Sequence, residues 1–185
     1  MIDDILMDVE EKMEKAVAAL RSDLMAIRTG RASPALVERI TVEAYGSSVP
    51  LNQTATIAVP EPRLLTIRPW DTSIIGAIER AILKSDLGLT PSNDGKIIRL
   101  AIPTLTDERR RDLARVVSRR VEEARVAVRN LRREGLKELE GLEKSKEISE
   151  DQLFRAKEDL QKLTDEYVDK IDEIGEQKQA EIMEV

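Results

Sequence analysis

The chain of 185 residues contains no cysteine and no histidine. Without cysteine it has no disulfide, no thiolate nucleophile and no thiolate metal ligand. Without histidine it lacks the commonest general base and the commonest metal ligand, and a Ser-His-Asp site is ruled out. Aromatic residues are nearly as scarce. Tyr45, Trp70, Phe154 and Tyr167 are scattered along the chain, so no series of stacking platforms for single-stranded bases is readable. Glycine-rich phosphate loops of the GxxxxGK[ST] or GxGxxG kind are missing, so no bound nucleotide and no other cofactor is expected. No apolar run approaches the roughly 18 residues of a membrane span. The start, Met1-Ile2-Asp3-Asp4, has neither the basic nor the apolar region of a signal peptide, so a cytoplasmic location is expected.

What is present is charge, at 36% of residues, together with 41% hydrophobic residues, too many for a disordered chain. The net charge of −6 is unevenly spread. Residues 105–137 hold 11 basic and 6 acidic groups, whereas residues 138–185 hold 7 basic and 16 acidic ones. A basic segment inside an acidic protein points to a polyanion site confined to one face. The plainer alternative is that these arginines pair with acids on neighbouring helices.

Three stretches have helical periodicity. In the first, residues 2–28, Leu6, Val9, Met13, Ala16, Leu20, Leu24 and Ile27 step by three or four, and Gly30 is a stop signal. The second starts at Thr106, a helix cap followed by Asp107 and Glu108, and runs to about Leu142. It would be roughly 55 Å long at about 1.5 Å per residue. Leu113, Val117, Val121, Ala124, Val128 and Leu131 gather on one side. Arg111, Arg115, Arg125, Arg129, Arg132 and Arg133 gather beside them, within about a third of the circumference. In the third, Ser149 with Gln152 makes a capping box, and Leu153, Ala156, Leu160, Leu163, Tyr167, Ile171 and Ile174 form a stripe.

Residues 31–104 differ in character and contain all seven prolines. Residues 39–45, 54–59, 63–68 and 96–102 read as strands, with Pro60-Glu61-Pro62 as a turn between the second and third. Asp71-Thr72-Ser73 caps a helix carrying Ile74, Ile75, Ile78, Ala81 and Ile82, which Gly88 should end.

Long amphipathic helices need one another to bury their stripes. The expected fold is therefore α+β. A three-helix bundle forms from 1–30 and 105–185, and a small β-rich α/β domain, 31–104, is inserted between helices one and two. Two connections would join them, forming a hinge at Gly30, Arg31, Pro103, Thr104 and Leu105. Three internal helices make a second copy unnecessary, so a monomer is expected. A long dimeric coiled coil with a β insert is the competing reading, but its seams would leave no room for a third helix.

The acidic pairs sit at exposed helix positions, where carboxylates read as solvated faces rather than as metal or catalytic sites. The chain therefore reads as a binding protein and not as an enzyme. A fixed row of guanidiniums makes bidentate, salt-sensitive contacts to phosphate, and folded RNA recognised by backbone and shape fits such a row. The alternative is an adaptor that uses the same face to bind acidic protein partners.

Ile27-Arg28-Thr29-Gly30-Arg31-Ala32-Ser33-Pro34 and Glu123-Ala124-Arg125-Val126-Ala127-Val128-Arg129-Asn130-Leu131-Arg132-Arg133 resemble signature runs of bacterial ribosome recycling factors. Ser85-Asp86-Leu87-Gly88-Leu89, Pro103-Thr104-Leu105-Thr106-Asp107-Glu108-Arg109-Arg110 and Lys146-Glu147-Ile148-Ser149-Glu150-Asp151 are similar to that family as well. The resemblance covers the whole chain. It implies an L-like, tRNA-sized molecule that splits the post-termination ribosome with elongation factor G and GTP hydrolysis, so that subunits and mRNA are released. It also implies a bundle lying on large-subunit rRNA, with Arg129 and Arg132 as the leading contacts and Arg28, Arg31, Arg125 and Arg133 behind them. On residue chemistry alone, Arg28 and Arg31 could equally cap the first helix or brace the hinge, and Arg125 could pair with acids of the last helix.

Overall fold

The computed structural model describes residues 1–184. Contacts divide the chain into two units. One comprises Met1–Leu24 and Asp112–Ala180. The other comprises Met25–Arg111 and, among the described residues, 181–184.

The first unit is a bundle of three helices: α1 (Ile2–Met25), α3 (Asp107–Lys144, 38 residues) and α4 (Glu150–Met183). Each buries one stripe. Val9, Met13, Val17, Leu20 and Leu24 do so on α1, Leu113, Val117, Val121, Val128 and Leu139 on α3, and Ala156, Leu160, Tyr167 and Ile171 on α4. The caps read from the sequence form. The Thr106 hydroxyl accepts from the Arg109 amide at 3.1 Å. Ser149 and Gln152 exchange hydrogen bonds, the Gln152 amide donating to the Ser149 hydroxyl at 3.1 Å and the Ser149 amide to the Gln152 side chain at 2.8 Å. Tyr167 is buried with its hydroxyl donating to Glu14. Burial first, and then that bond, push its pKa up to about 12.

Two helix glycines mark close approaches. A Cβ on Gly135 of α3 would lie 2.8 Å from the Val9 Cγ2 of α1 and 3.6 Å from both methyls of Leu160 on α4. A Cβ on Gly175 of α4 would lie 2.7 Å from the Val121 Cγ2 of α3. Both values fall below ordinary contact distance, so the hydrogen of glycine is what lets the backbones come together.

The second unit holds strands β1 (Thr41–Ala44), β2 (Ser47–Pro50), β3 (Ala55–Glu61), β4 (Leu64–Pro69), β5 (Ser92–Asn93) and β6 (Ile98–Ala101), with helix α2 (Ile75–Lys84). β1 and β2 form a hairpin whose two-residue turn, Tyr45-Gly46, has φ of 54° and 77°. The other four strands make an antiparallel sheet in the order β3-β4-β6-β5. Alternate side chains of this sheet, among them Leu65, Ile67, Ile98 and Leu100, share one core with Ile75, Ile78 and Ile82 of α2 and with Val42 of β1.

Four details differ from the sequence reading. Helix α1 ends at Met25 because the chain turns to bury Thr29, whose hydroxyl accepts from the Arg31 amide at 3.3 Å. Strand β3 runs on to Glu61, through the expected turn. Its register shifts between Ala58 and Glu61, and Pro60 lies in that irregular stretch of an edge strand, where a missing N–H is tolerated. Helix α2 stops at Lys84, four residues before Gly88. The Ser85 amide bonds back to the Ile82 carbonyl, and Gly88 makes a later left-handed turn at φ 67°. The short strands β2 and β5 had no readable signal.

The β5–β6 turn is organised by Asp94. Its Oδ1 accepts from the amides of Lys96 and Ile97, both at 2.9 Å, and its Oδ2 accepts from Arg99 at 3.1 Å. The two amides first, and then the guanidinium, hold the carboxyl at about 2 against an ordinary 3.8. A carboxyl depressed on folding adds stability above its unfolded pKa, and that stability is lost as pH falls through the folded one. The stability difference between the protein and Asp94→Asn, measured by urea unfolding, is therefore expected to be full at neutral pH, to shrink below about pH 4 and to vanish near pH 2. A difference independent of pH would remove the carboxylate as the organiser of this turn.

Candidate nucleic-acid interface

The face singled out in the sequence is a stripe along α3. Its arginines are not equivalent. Arg115 is 74% exposed and lies 3.3 Å from Asp112 one turn earlier. Arg125 is held hardest: its Nε donates to Asp172 of α4 at 2.8 Å and its other nitrogen reaches Glu122 at 3.1 Å. The bond to Asp172, and next the one to Glu122, raise its pKa. Arg129 lies 3.6 Å from the other oxygen of Glu122. Glu122 thus stands between two arginines and neutralises the middle of the stripe.

Arg132 and Arg133 have no such neighbour. Among the described residues neither makes an ion pair or a side-chain hydrogen bond, and the same holds for Arg111 and Arg119. Arg132 is half-buried, while Arg133 is exposed. The arrangement has three grades. Arg132 and Arg133 are guanidiniums without counter-ions. Arg129 is in a long, half-exposed ion pair of a kind worth about 0–1 kcal/mol, which an incoming phosphate readily replaces. Arg125 is a cross-helix brace that fixes α3 against α4.

Arg28 and Arg31 lie in the other unit, and both are engaged there. Arg28 donates to the Pro103 carbonyl at 3.5 Å, so it ties the segment after α1 to the segment before α3. Burial, and then the nearby charge of Arg109, lower its pKa. Arg31 pairs with Glu184. Of the remaining residues named for a hinge, Leu105 is buried, and just beyond Arg31 the Ala32 amide donates to the Pro62 carbonyl at 2.7 Å.

The sequence reading allowed that Arg125 could pair with acids of the last helix, as it does with Asp172, but it named neither Asp172 nor Glu122. Glu122 was findable, since it lies three and seven residues before Arg125 and Arg129 on a helix. Asp172 was not, because its meeting with Arg125 depends on how α3 and α4 align. Among the described residues no group of three carboxylates is placed to hold a metal ion, and no helix is long and apolar enough to cross a membrane.

Comparison with known proteins gives one consistent result. The profile of a family described as ribosome recycling factor matches residues 20–183. The ribosome-recycling factor of Roseiflexus castenholzii is 57% identical over 185 residues and that of Bacillus subtilis 55%, each match covering all of both chains. A solution structure of a ribosome recycling factor is 48% identical with a TM-score of 0.80, covering all of this chain and 98% of that one. A second solved structure is 46% identical with a TM-score of 0.71 and covers both chains fully. It is described as the T. thermophilus ribosome recycling factor with E. coli elongation factor G bound to the E. coli post-termination complex.

Proposed function

The chain belongs to the ribosome recycling factor family, and from that premise we propose that it takes apart the post-termination ribosome in the cytoplasm. It works with elongation factor G, whose GTP hydrolysis drives separation of the subunits and release of mRNA. It is a non-enzymatic translation factor: it binds and transmits force, and the translocase supplies the energy. The observation that carries this reading is the likeness along the full chain to relatives of that name, at 52–57% identity. The contact surface in this reading is the α3 face, supported by its guanidiniums without counter-ions among the described residues. Arg132 and Arg133 meet phosphates of large-subunit rRNA directly, Arg129 exchanges Glu122 for phosphate, and Arg125 holds the helix that carries them.

Sedimentation of post-termination complexes tests the function. Free subunits are expected only when this protein, elongation factor G and GTP are all present. Ribosomes that stay intact at saturating factor would overturn it.

We place the hinge at Gly30, Arg31, Pro103, Thr104 and Leu105. Gly30 has an ordinary φ, and nothing lies within 4 Å of the position where its Cβ would be, so alanine fits without strain. Any importance of this glycine then lies in its conformational freedom. Gly30→Ala is expected to leave ribosome binding unchanged and to slow splitting about two- to fivefold, the restriction of roughly 0.5–1 kcal/mol that a Cβ imposes. Splitting at the normal rate would take Gly30 out of the hinge.

A further inference from the structure

The four-stranded sheet of the second unit has one face on its core and one face bare. Along an antiparallel sheet alternate residues share a face. Thr56 stands opposite Arg68, Thr66 opposite Arg99, and Arg99 opposite Ser92. All three pairs of neighbours lie away from α2, because their alternates Leu65, Ile67, Ile98 and Leu100 are buried and Asn93, beside Ser92, bonds Glu79 of α2 on the other side. Trp70 continues the same alternation two residues beyond Arg68. Its Nε1 donates to the Thr56 hydroxyl at 3.0 Å, which lays the indole on the bare face, while the residue remains 67% exposed. The ring is anchored by its edge and uncovered.

Arg68 is the cation nearest to Trp70 along the strand, and the adjacent carboxylate, Asp71, stays charged but is held by neighbouring donors. Among the described residues Arg68 has no ion-pair partner. The nearby carboxylates are already engaged. Asp71 accepts from the Ser73 amide at 3.0 Å and from the Tyr45 hydroxyl at 2.6 Å, and Asp94 holds its turn and Arg99. Glu61 is paired with Leu64 at the far end of β4, about 20 Å from Trp70 at roughly 3.4 Å per residue. The bare face therefore offers a fixed π surface, an adjacent free guanidinium and the hydroxyls of Thr56, Thr66 and Ser92. Its aliphatic residues Leu64 and Ala101, opposite each other, lie at the far end of β4 from Trp70. That set matches the requirements of an unpaired nucleotide: a ring to stack on, a cation for the phosphate and small polar groups for base edges.

We propose that this sheet face binds single-stranded RNA, with Trp70 stacked on an unpaired base and Arg68 on the neighbouring phosphate. The site uses none of the α3 arginines and stands independently of the ribosome-splitting reading.

Trp70 is the only tryptophan in the chain, so its fluorescence reports on this site alone. Titration with a single-stranded oligoadenylate of about twelve nucleotides is expected to quench it saturably, and a duplex of equal length is expected to do so far less. With a labelled oligonucleotide read by anisotropy, Trp70→Phe is expected to keep most of the affinity and Trp70→Ala to lose about tenfold, within the range of stacking on one aromatic ring. Arg68→Ala should reduce the salt slope by about 0.7, the share of one phosphate on a single strand. Arg132→Ala should leave the quenching unchanged, which separates this site from the α3 face. An unchanged far-UV circular dichroism spectrum of Trp70→Ala establishes that the fold is kept. No quenching, equal quenching by duplex or heparin, or quenching abolished by Arg132→Ala would overturn the proposal. So would loss of factor-dependent splitting in Trp70→Ala with RNA affinity intact, because the face would then be a protein-docking surface.

Discussion

Arg132→Ala is expected to weaken binding to large ribosomal subunits by about ten- to a hundredfold while the thermal midpoint barely moves. The two halves of this expectation rest on the same observation. Arg132 has no ion pair or side-chain hydrogen bond among the described residues, so the free protein loses little when its guanidinium is removed. In the complex, a hydrogen bond to a charged group is worth about 1.5–3 kcal/mol, and each 1.4 kcal/mol is a factor of ten. The salt slope of binding should fall by about one as well. Arg125→Ala provides the contrast. Its partners are Asp172 and Glu122, so it should lower the melting temperature, and any loss of binding would follow from a loosened helix. Filter binding of subunits at matched salt, beside melting curves of both variants, makes the comparison. Unchanged binding by Arg132→Ala would strike that residue from the interface.

Gly175→Val is expected to be the most destabilising of the single substitutions discussed, by about 1–3 kcal/mol, the usual range for overpacking. Even a single Cβ there falls 2.7 Å from the Val121 Cγ2, and valine adds two methyls to it. Val121 is β-branched and on a helix, so its side chain has almost no alternative rotamer to retreat into. The helices would have to separate. Gly175→Ala should cost less, since alanine recovers about 1 kcal/mol of helix propensity against the same crowding. Gly141→Ala is the control: it lies in α3 with nothing within 4 Å of its Cβ position, so it should gain about 0.5–1 kcal/mol. Thermal unfolding followed by circular dichroism checks the order of the three. A Gly175→Val protein as stable as its parent would mean that α3 and α4 do not approach as closely as described.

The helices were legible because each carries its own signals. Thr106 and Ser149 cap where their local chemistry places them, and apolar residues recur every three or four positions over 34 to 38 residues. The α+β unit was legible in its longer strands only. Ser92 and Asn93 make a strand of two polar residues that exists because β6 offers a free edge, a fact of tertiary structure. Pro60 reads as a turn residue but lies in an irregular stretch of an edge strand. The arginine run was visible as a face, yet its division into braced and bare members needed the positions of Glu122 and Asp172. The tryptophan platform was overlooked altogether, although a cue was present: residues 64, 66, 68 and 70 alternate with Leu65, Ile67 and Pro69, which are buried. One aromatic residue counted along the chain looks isolated, whereas on a sheet its neighbours come from other strands.

The two pinched glycine contacts of the bundle have a bearing on how binding energy is used. Val121, pressed by Gly175, and Gly135, pressed by Val9 and Leu160, lie fourteen positions apart on α3, or about 21 Å. Arg125, Arg129, Arg132 and Arg133 all fall between them. The backbone under the arginines is therefore clamped at both ends before any RNA arrives. Little conformational entropy remains to be lost on docking, beyond the side chains themselves. Such a surface acts as a ruler: it rewards an anion lattice whose spacing already matches its own and gives little to a flexible strand that must be ordered to fit.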